Sequence, residues 1–388
     1  MRAGDRVKVL TPHAEQVEPS WSDDGVEVES FRYAPEAWEL LGYSRSLERD
    51  ETPRLGALTV TPLYLGAARA ALRRSVIGGH YDLVQGHWVV PNGLLLPAVA
   101  SKVATAVGLH GSDVFMAERK GIARWAQHAL RSVDVLTGCS PELVDRVCAL
   151  GFPHKRSRVI PYGVNVEQFH PEAENRNGTP GEHAAAWRRE LGIPTDATVL
   201  LSVGRMVSKK GYQHLVPALP KLLARVDDLH VVFAGGGDLL SDLKGASSDF
   251  VNRVHFPGVV YRDRLPALYQ AADLFVLPAV HDSKGNVDGL PNVILEAMAT
   301  GLAVVASGIS GIPLAIDDGD NGRLVPEGEP EALVEALVDV ASDREGRLRM
   351  GRRSRQRAVE GHTWDAIAAR YRDAYRLGIE RFKSRVGS

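Results

Sequence analysis

The residues able to do chemistry in this chain gather in short segments that each follow an apolar, β-branched run. In Asp288–Gly301, written DGLPNVILEAMATG, a Gly/Pro loop turns helical at about Asn292. The first N–H groups of a helix have no partner within it and, with the helix dipole, attract phosphate. Asp288 and Glu296 flank this helix start with seven residues between them, one in the loop and one a turn into the helix. They can therefore contact different parts of one ligand lying across the helix start. An ordinary turn former and a surface helix residue is the plainer account of the same pair.

A second segment, Gly204–Gly211 (GRMVSKKG), directly follows the run VLLSVG and supplies Arg205 and Lys210. A forked guanidinium and a mobile ammonium near a helix terminus suit a diphosphate, although two solvated loop cations would look the same. In the first half, LHGSDVF places His110, Gly111 and Asp113 after the run ATAVGL, and GHWVVPNG places His87 after another. Open α/β sheets bind ligands at such strand ends, but a lone histidine is more often structural. The loop AGGGD, Ala234–Asp238, lacks the G-x-G-x-x-G pattern and reads as a tight strand-to-helix turn lining a nucleotide pocket. No P-loop, His/Cys metal cluster, zincin helix or nucleophile elbow occurs, so a Ser-His-Asp hydrolase has no support.

The elements that must hold these loops alternate between strand-like runs and helical patterns, the pattern of βαβ units and helix-covered parallel sheets. Strands are expected at Val7–Leu10, Val26–Phe31, Leu83–Gly86, Ala104–Leu109, Val135–Gly138 and Val159–Pro161. A second set is expected at Val199–Val203, Leu229–Ala234, Arg253–Pro257, Leu274–Pro278 and Ala303–Ala306. Between the sets, Glu172–Ala184 is polar and rich in Gly, Pro and Asn, and reads as a linker. A length of 388 residues also favours two domains at roughly 100–200 residues each. The fold class expected is α/β, with two separate sheets.

Composition narrows the function. A net charge of −2 argues against nucleic acid as a partner held by bulk electrostatics. Residues 344–388 nevertheless carry 13 Lys/Arg against 5 Asp/Glu on helical sequence. A solvated helical face is the simpler account of that charge, and contact with anionic lipid is the sharper one. The helix around Gly66–Ser75, with Arg69, Arg73 and Arg74, invites the same two readings. Cys139 and Cys148 are the only cysteines, too few for a disulfide framework or a cysteine metal site. No secretory leader is apparent, and the longest apolar stretch, Gly93–Leu109, is broken by Pro97, Ser101 and Lys102, so the expected compartment is the cytoplasm.

Taken in order, LTPHA, GHWVVPNG, HGSDVF, PYGVNVEQFHP, GRMVSKKG, FAGGGD, VHFPGVV, DGLPNVILEAMATG and TWDAIAARYRDAY resemble the retaining glycosyltransferases of family 4 across nearly the whole chain. The resemblance implies a GT-B architecture, two Rossmann-like domains facing across a cleft. It implies an acceptor-side domain over residues 1–168, completed by the C-terminal helix 367–388, and a donor-binding domain over 169–366. The activity implied is transfer of a sugar from a nucleoside diphosphate donor to a lipid-linked or cell-envelope glycan, without metal or cofactor, at the inner face of a membrane.

By the same resemblance, His110, Asp288, Arg205 and Lys210 act at the reacting centre. Arg205 and Lys210 hold the donor diphosphate, helped by the backbone N–H groups of Asn292 and Val293. Glu296 binds the ribose, Asp288 the sugar hydroxyls, and His110 lies beside the sugar. Gly258, Val259 and Val260 line the base pocket, and Gly204, Gly289 and Leu290 complete the donor set. His87, Gly111 and Asp113 face the acceptor. A nucleotide-sugar epimerase and a donor-binding remnant without transferase activity are the competing readings.

Three departures from the family pattern stand out. Asp288 replaces the usual glutamate, and Leu314 stands where a glutamate is common. The segment GDRVKVLTP begins three residues after Met1, whereas a strand, a Gly-rich loop and a helix usually precede it. The expectation is a reading frame starting upstream of Met1, and a first sheet that either exposes two edges or closes the gap.

Overall fold

The structure is a computed structural model and describes residues 4–15, 17–42, 47–49, 52–53, 55–172 and 181–387. Met1 and most of the expected linker, residues 173–180, lie outside the described residues. The strands are β1 Lys8–Pro12, β2 Ser20–Asp23, β3 Val26–Phe31, β4 Leu47–Arg49, β5 Thr52–Pro53, β6 Leu83–His87, β7 Ala104–Leu109, β8 Val135–Gly138 and β9 Ser157–Val159. They continue with β10 Thr198–Val203, β11 Leu229–Ala234, β12 Val254–Gly258, β13 Leu274–Leu277, β14 Ala303–Ser307 and β15 Gly322–Val325.

The second set of strands forms one parallel sheet in the order β12-β11-β10-β13-β14-β15. Apolar residues on both faces of each strand require helices on both sides. Leu201 accordingly joins Phe275, Ile294 and Met298 on one face, while its neighbour Leu200 joins Phe233, Leu219 and Leu337 on the other. In chain order the sheet runs 3-2-1-4-5-6, the doubly wound arrangement, whose direction of winding reverses between β10 and β13. The loops leaving those two strands diverge and open a crevice, and they are the GRMVSKKG loop and the loop that carries Asp288.

The first half is built differently from the single sheet the strand pattern suggests. Strands β6-β7-β8-β9 form one parallel sheet, and β1-β3-β2 form another, with β2 antiparallel to β3. Leu10 on β1 and Val84 on β6 pack in one apolar cluster with Leu72, Val99 and Val103, yet β1 and β6 are not hydrogen-bonded to each other. Among the described residues, β1 pairs with β3 alone and β6 with β7 alone. On β1, Lys8 crosses to Glu27 and Glu29 of β3 at 2.6 and 2.8 Å.

Several elements were not foreseen. Strand β2 is short and polar, and β15 reads GRLV, so neither has the apolar run that marks a buried strand. Strand β9 begins two residues earlier than expected, at Ser157.

The helix Trp364–Val386 returns from the second half and lies on β6, β7 and β8. Its Ile367 and Ala374 are buried with Ala106, Val135 and Ile160, and a Cβ at Gly378 would come within 2.8 Å of Val135 Cγ1. Arginines 69, 73 and 74 are exposed on the helix Leu55–Gly78, whose Ala68, Ala71 and Leu72 are buried, an arrangement that both readings of this helix require. Cys139 and Cys148 are both free thiols. Among the described residues no helix is long and apolar enough to cross a membrane.

Candidate active site

The crevice at the β10/β13 reversal is set by glycines that admit no side chain. At Gly211 (φ 76°) a Cβ would sit 1.6 Å from Pro278 O, and at Gly235 (φ 142°) one would sit 1.9 Å from Gly204 O. Backbone hydrogen bonds from Gly204 N to Ala234 O (2.9 Å) and from Met206 N to Gly236 O (2.8 Å) fasten the GRMVSKKG loop to AGGGD. Val280 N donates to Lys209 O at 3.0 Å, which brings the post-β13 loop alongside.

At the centre of this crevice Asp288 lies between two ammoniums, Lys210 Nζ at 2.7 Å and Lys209 Nζ at 3.2 Å. Burial alone would raise the Asp288 carboxyl, but the Lys210 and Lys209 charges outweigh it and hold it below the ordinary carboxylate range. Both lysines are themselves buried. Lys210 and Asp288 are thus brought together as expected, but as an ion pair with each other, because among the described residues no other counter-charge reaches the buried ammoniums closely. Lys209 was missed. Two consecutive lysines in the 3-10 turn Ser208–Lys210 both reach one carboxylate, and the KK dipeptide was the available signal. Arg205 is exposed on the same loop.

The helix Asn292–Ala299 starts after Pro291 with no side chain capping it. Glu296 lies one turn in and accepts from Tyr269 Oη at 2.8 Å. Burial raises the Glu296 carboxyl, and the Tyr269 hydroxyl, Arg262 and Lys210 only partly offset this. Tyr269, fully buried, is a second residue the sequence did not announce. Leu290 is buried in the core and Gly289 is pressed against the first half, where its Cβ would be 2.2 Å from Cys139 Sγ. These two shape the loop and carry no polar side chain to a ligand. At the other wall, Gly258 ends β12 with φ 78°, Val259 is exposed, and Val260 packs at the edge of the core.

The first half meets this crevice directly. A Cβ at Gly111 (φ 122°) would lie 3.2 Å from Val287 O, one residue before Asp288. His87 Nδ1 lies 2.9 Å from His110 Nε2, and His110 Nδ1 lies 2.8 Å from Tyr162 Oη. Burial lowers both histidines below their ordinary value, and for His87 the neighbouring His110 adds to the effect. Asp113 is a correction to the expected acceptor-side set. It is fully buried and accepts from His110 N and Gly111 N at 2.9 Å and from Val89 N at 3.2 Å, so its oxygens are spent on holding the loop.

The two halves are also tied at the rim. His281 Nε2 lies 3.0 Å from Glu142 of the first half, and its Nδ1 lies 2.8 Å from Glu327 of the second. Ser310 Oγ donates to Ser140 Oγ at 3.1 Å. Neither contact was legible in the sequence.

Two α/β halves apposed at their strand ends, with a crevice at the switch point of a doubly wound sheet, form the GT-B architecture. Residues 184–357 match the family described as glycosyl transferases group 1, and residues 1–168 match glycosyltransferase family 4. The chain is 30% identical over 409 residues to a D-inositol 3-phosphate glycosyltransferase of Kineococcus radiotolerans, covering 98% of this chain and 88% of that protein. It is 30% identical over 319 residues to a GDP-mannose-dependent alpha-(1-6)-phosphatidylinositol monomannoside mannosyltransferase of Mycolicibacterium smegmatis, covering 80% and 81%. Sucrose-phosphate synthase from Thermosynechococcus elongatus superposes with a TM-score of 0.73 at 21% identity, covering 97% of this chain and 89% of that one. The chain belongs to glycosyltransferase family 4.

Proposed function

We propose that the protein transfers a hexose from a nucleoside diphosphate sugar to a hydroxyl of a lipid-linked or cell-envelope glycan, with retention at the anomeric carbon. The observation that carries this reading is the Asp288 carboxylate between Lys209 and Lys210, facing the His110–Gly111 loop across the crevice. Departure of a nucleoside diphosphate builds positive charge on the sugar and negative charge on phosphate. Preorganised cations and helix N–H groups lower that barrier. Lys209, Lys210 and Arg205, with the start of the helix Asn292–Ala299, supply this charge, so turnover proceeds without added divalent metal.

In this reading the donor diphosphate draws the lysines, and Asp288 then accepts hydrogen bonds from the sugar hydroxyls. Glu296 receives the ribose, and the backbone at Gly258–Val260 receives the base. The acceptor oxygen bonds to the anomeric carbon on the face from which the diphosphate leaves, and its proton departs on the leaving phosphate oxygen. The names of the relatives support GDP-mannose as the first donor to try and phosphoinositol compounds as the first acceptors.

Incubation with GDP- and UDP-sugars, with and without EDTA, tests the proposal. Product formation with the donor's anomeric configuration, read by the C1–H1 coupling, supports it, and inversion at that carbon refutes retention. For location, we propose a cytoplasmic protein that touches anionic membrane. The support is a groove of about 440 Å³ in which Lys155, Arg156, Arg381 and Arg385, the last also 3.1 Å from Asp134, outnumber the one lining carboxylate, Glu380. Co-sedimentation with anionic but not neutral vesicles tests that part.

A further inference from the structure

The two carboxylates of the candidate site are held in opposite ways. Asp288 has both oxygens engaged, Oδ1 by Lys209 and Oδ2 by Lys210. Glu296 has only one engaged: Oε2 lies 2.8 Å from Tyr269 Oη, and among the described residues no hydrogen bond or ion pair reaches Oε1. Arg262 and Lys210 are near enough for Glu296 to feel their charge, yet neither forms an ion pair with it. Glu296 is half-buried, so the oxygen without a partner is the one a ligand can reach.

Tyr269 is well placed to fix that carboxylate. It lies on the helix Leu265–Gln270, fully buried, with its ring edge-on to Phe169 at 5.7 Å and tilted against Phe275 at 5.9 Å. Its hydroxyl also lies 3.3 Å from Val293 O, in the first turn of the helix that carries Glu296. An ionised carboxylate and a carbonyl only accept, so the hydroxyl donates, and Glu296 is the nearer acceptor. The anchor does not depend on charge state. A protonated Glu296 would donate to the same phenol oxygen while the hydroxyl hydrogen turned to Val293 O, and Oε2 would still be the oxygen held.

We propose that Tyr269 is a positioning residue that presents Glu296 Oε1 to the ribose of the donor and thereby makes the site select ribonucleotides over deoxyribonucleotides. A cation in its place would compete with the ligand for the carboxylate, as the lysines do at Asp288. A phenol holds one oxygen and leaves the two lone pairs of the other for the hydroxyls of a ribose. The contact with Val293 O ties that oxygen to the helix start, so the spacing from ribose to diphosphate is set before a donor arrives. The nucleoside half then docks without displacing a side chain, whereas the sugar half has to draw the lysines from Asp288. This deepens the transferase reading and rests on it for the ligand being a nucleotide.

The test is calorimetry on the full-length protein with GDP, UDP and the 2′-deoxy and 3′-deoxy forms of each. The wild type is expected to bind one ribonucleotide about 10-fold or more tighter than at least one of its deoxy forms, the scale of a hydrogen bond to a charged group. Tyr269→Phe keeps the ring and its contacts. It should weaken the ribonucleotide towards the deoxy form, leave the deoxy form unchanged, and raise the donor KM of transfer by the same factor. Added to Glu296→Ala, it should change the preference no further, because it acts through that carboxylate. A merely structural tyrosine would weaken both forms alike. That result, a wild-type preference retained in Tyr269→Phe, or a wild type without preference overturns the proposal while the transferase reading stands. A wild type that binds neither GDP nor UDP overturns the transferase reading and this inference with it.

Discussion

Asp288 Oδ2 lies 2.7 Å from Lys210 Nζ, so the carboxylate proposed to bind a sugar and the ammonium proposed to bind a diphosphate neutralise each other. Both are largely buried, which makes the pair costly to break on one side only. Asp288→Asn leaves two buried ammoniums without a counter-charge. We expect a lower melting temperature, restored preferentially by nucleoside diphosphate, because a ligand that binds only the folded state stabilises it. Turnover should drop while diphosphate affinity holds or rises. Weaker diphosphate binding in calorimetry would show that the carboxylate does not compete for the lysines.

Arg205 stands on the same loop, but exposed. Its removal should therefore spare stability and strike the barrier. Arg205→Ala is expected to reduce kcat by about 10²–10³, the scale of losing one charge-stabilising donor. Turnover near wild type in a donor-transfer assay would take Arg205 out of the reacting centre.

The tie between the halves at His281 should depend on pH. Burial works against its charge, but Glu327 and Glu142 outweigh this and raise His281 above its ordinary value. Arg146, 3.6 Å from Glu142, is the nearby cation that competes for that carboxylate. A raised folded-state value means the contribution is fully present below about 6.5 and fades as pH climbs through the raised value. The melting-temperature gap between wild type and His281→Gln should be widest below that pH and shrink above it. A gap that grows with pH would contradict the doubly hydrogen-bonded imidazolium.

The features legible in the sequence were local. Runs such as VLLSV and LFVL are apolar on both faces and announce buried parallel strands, and the loops after them carry Arg205, Lys210 and Asp288. Long-range partners were not visible. Nothing in GHTWDAIAARYRDAYRLG says that Tyr375 will meet Gln85, 290 residues away, or that His281 will meet Glu142, 139 residues away. The conformation that spends Asp113 on its own backbone was equally hidden, because HGSD reads the same for a loop-holding and a ligand-facing carboxylate.

Gly289 joins the donor loop to the first half, and its replacement gives a test of that apposition. A Cβ there would lie 2.2 Å from Cys139 Sγ and 2.9 Å from Leu143 Cδ1, distances that real Cβ atoms do not adopt, so Gly289→Ala must push the halves apart or displace the loop. The lysines sit on a different loop, so binding of nucleoside diphosphate should survive. Transfer depends on placing the sugar against the acceptor side, where about 1 Å of misplacement costs about 10²-fold. We expect kcat to fall by that order with diphosphate affinity little changed. Cys139→Ala removes the nearest clashing atom, so the double variant should regain part of the loss relative to Cys139→Ala alone, the remainder being the contact with Leu143. Strict additivity of the two substitutions would mean that the Gly289–Cys139 contact does not set the spacing of the halves.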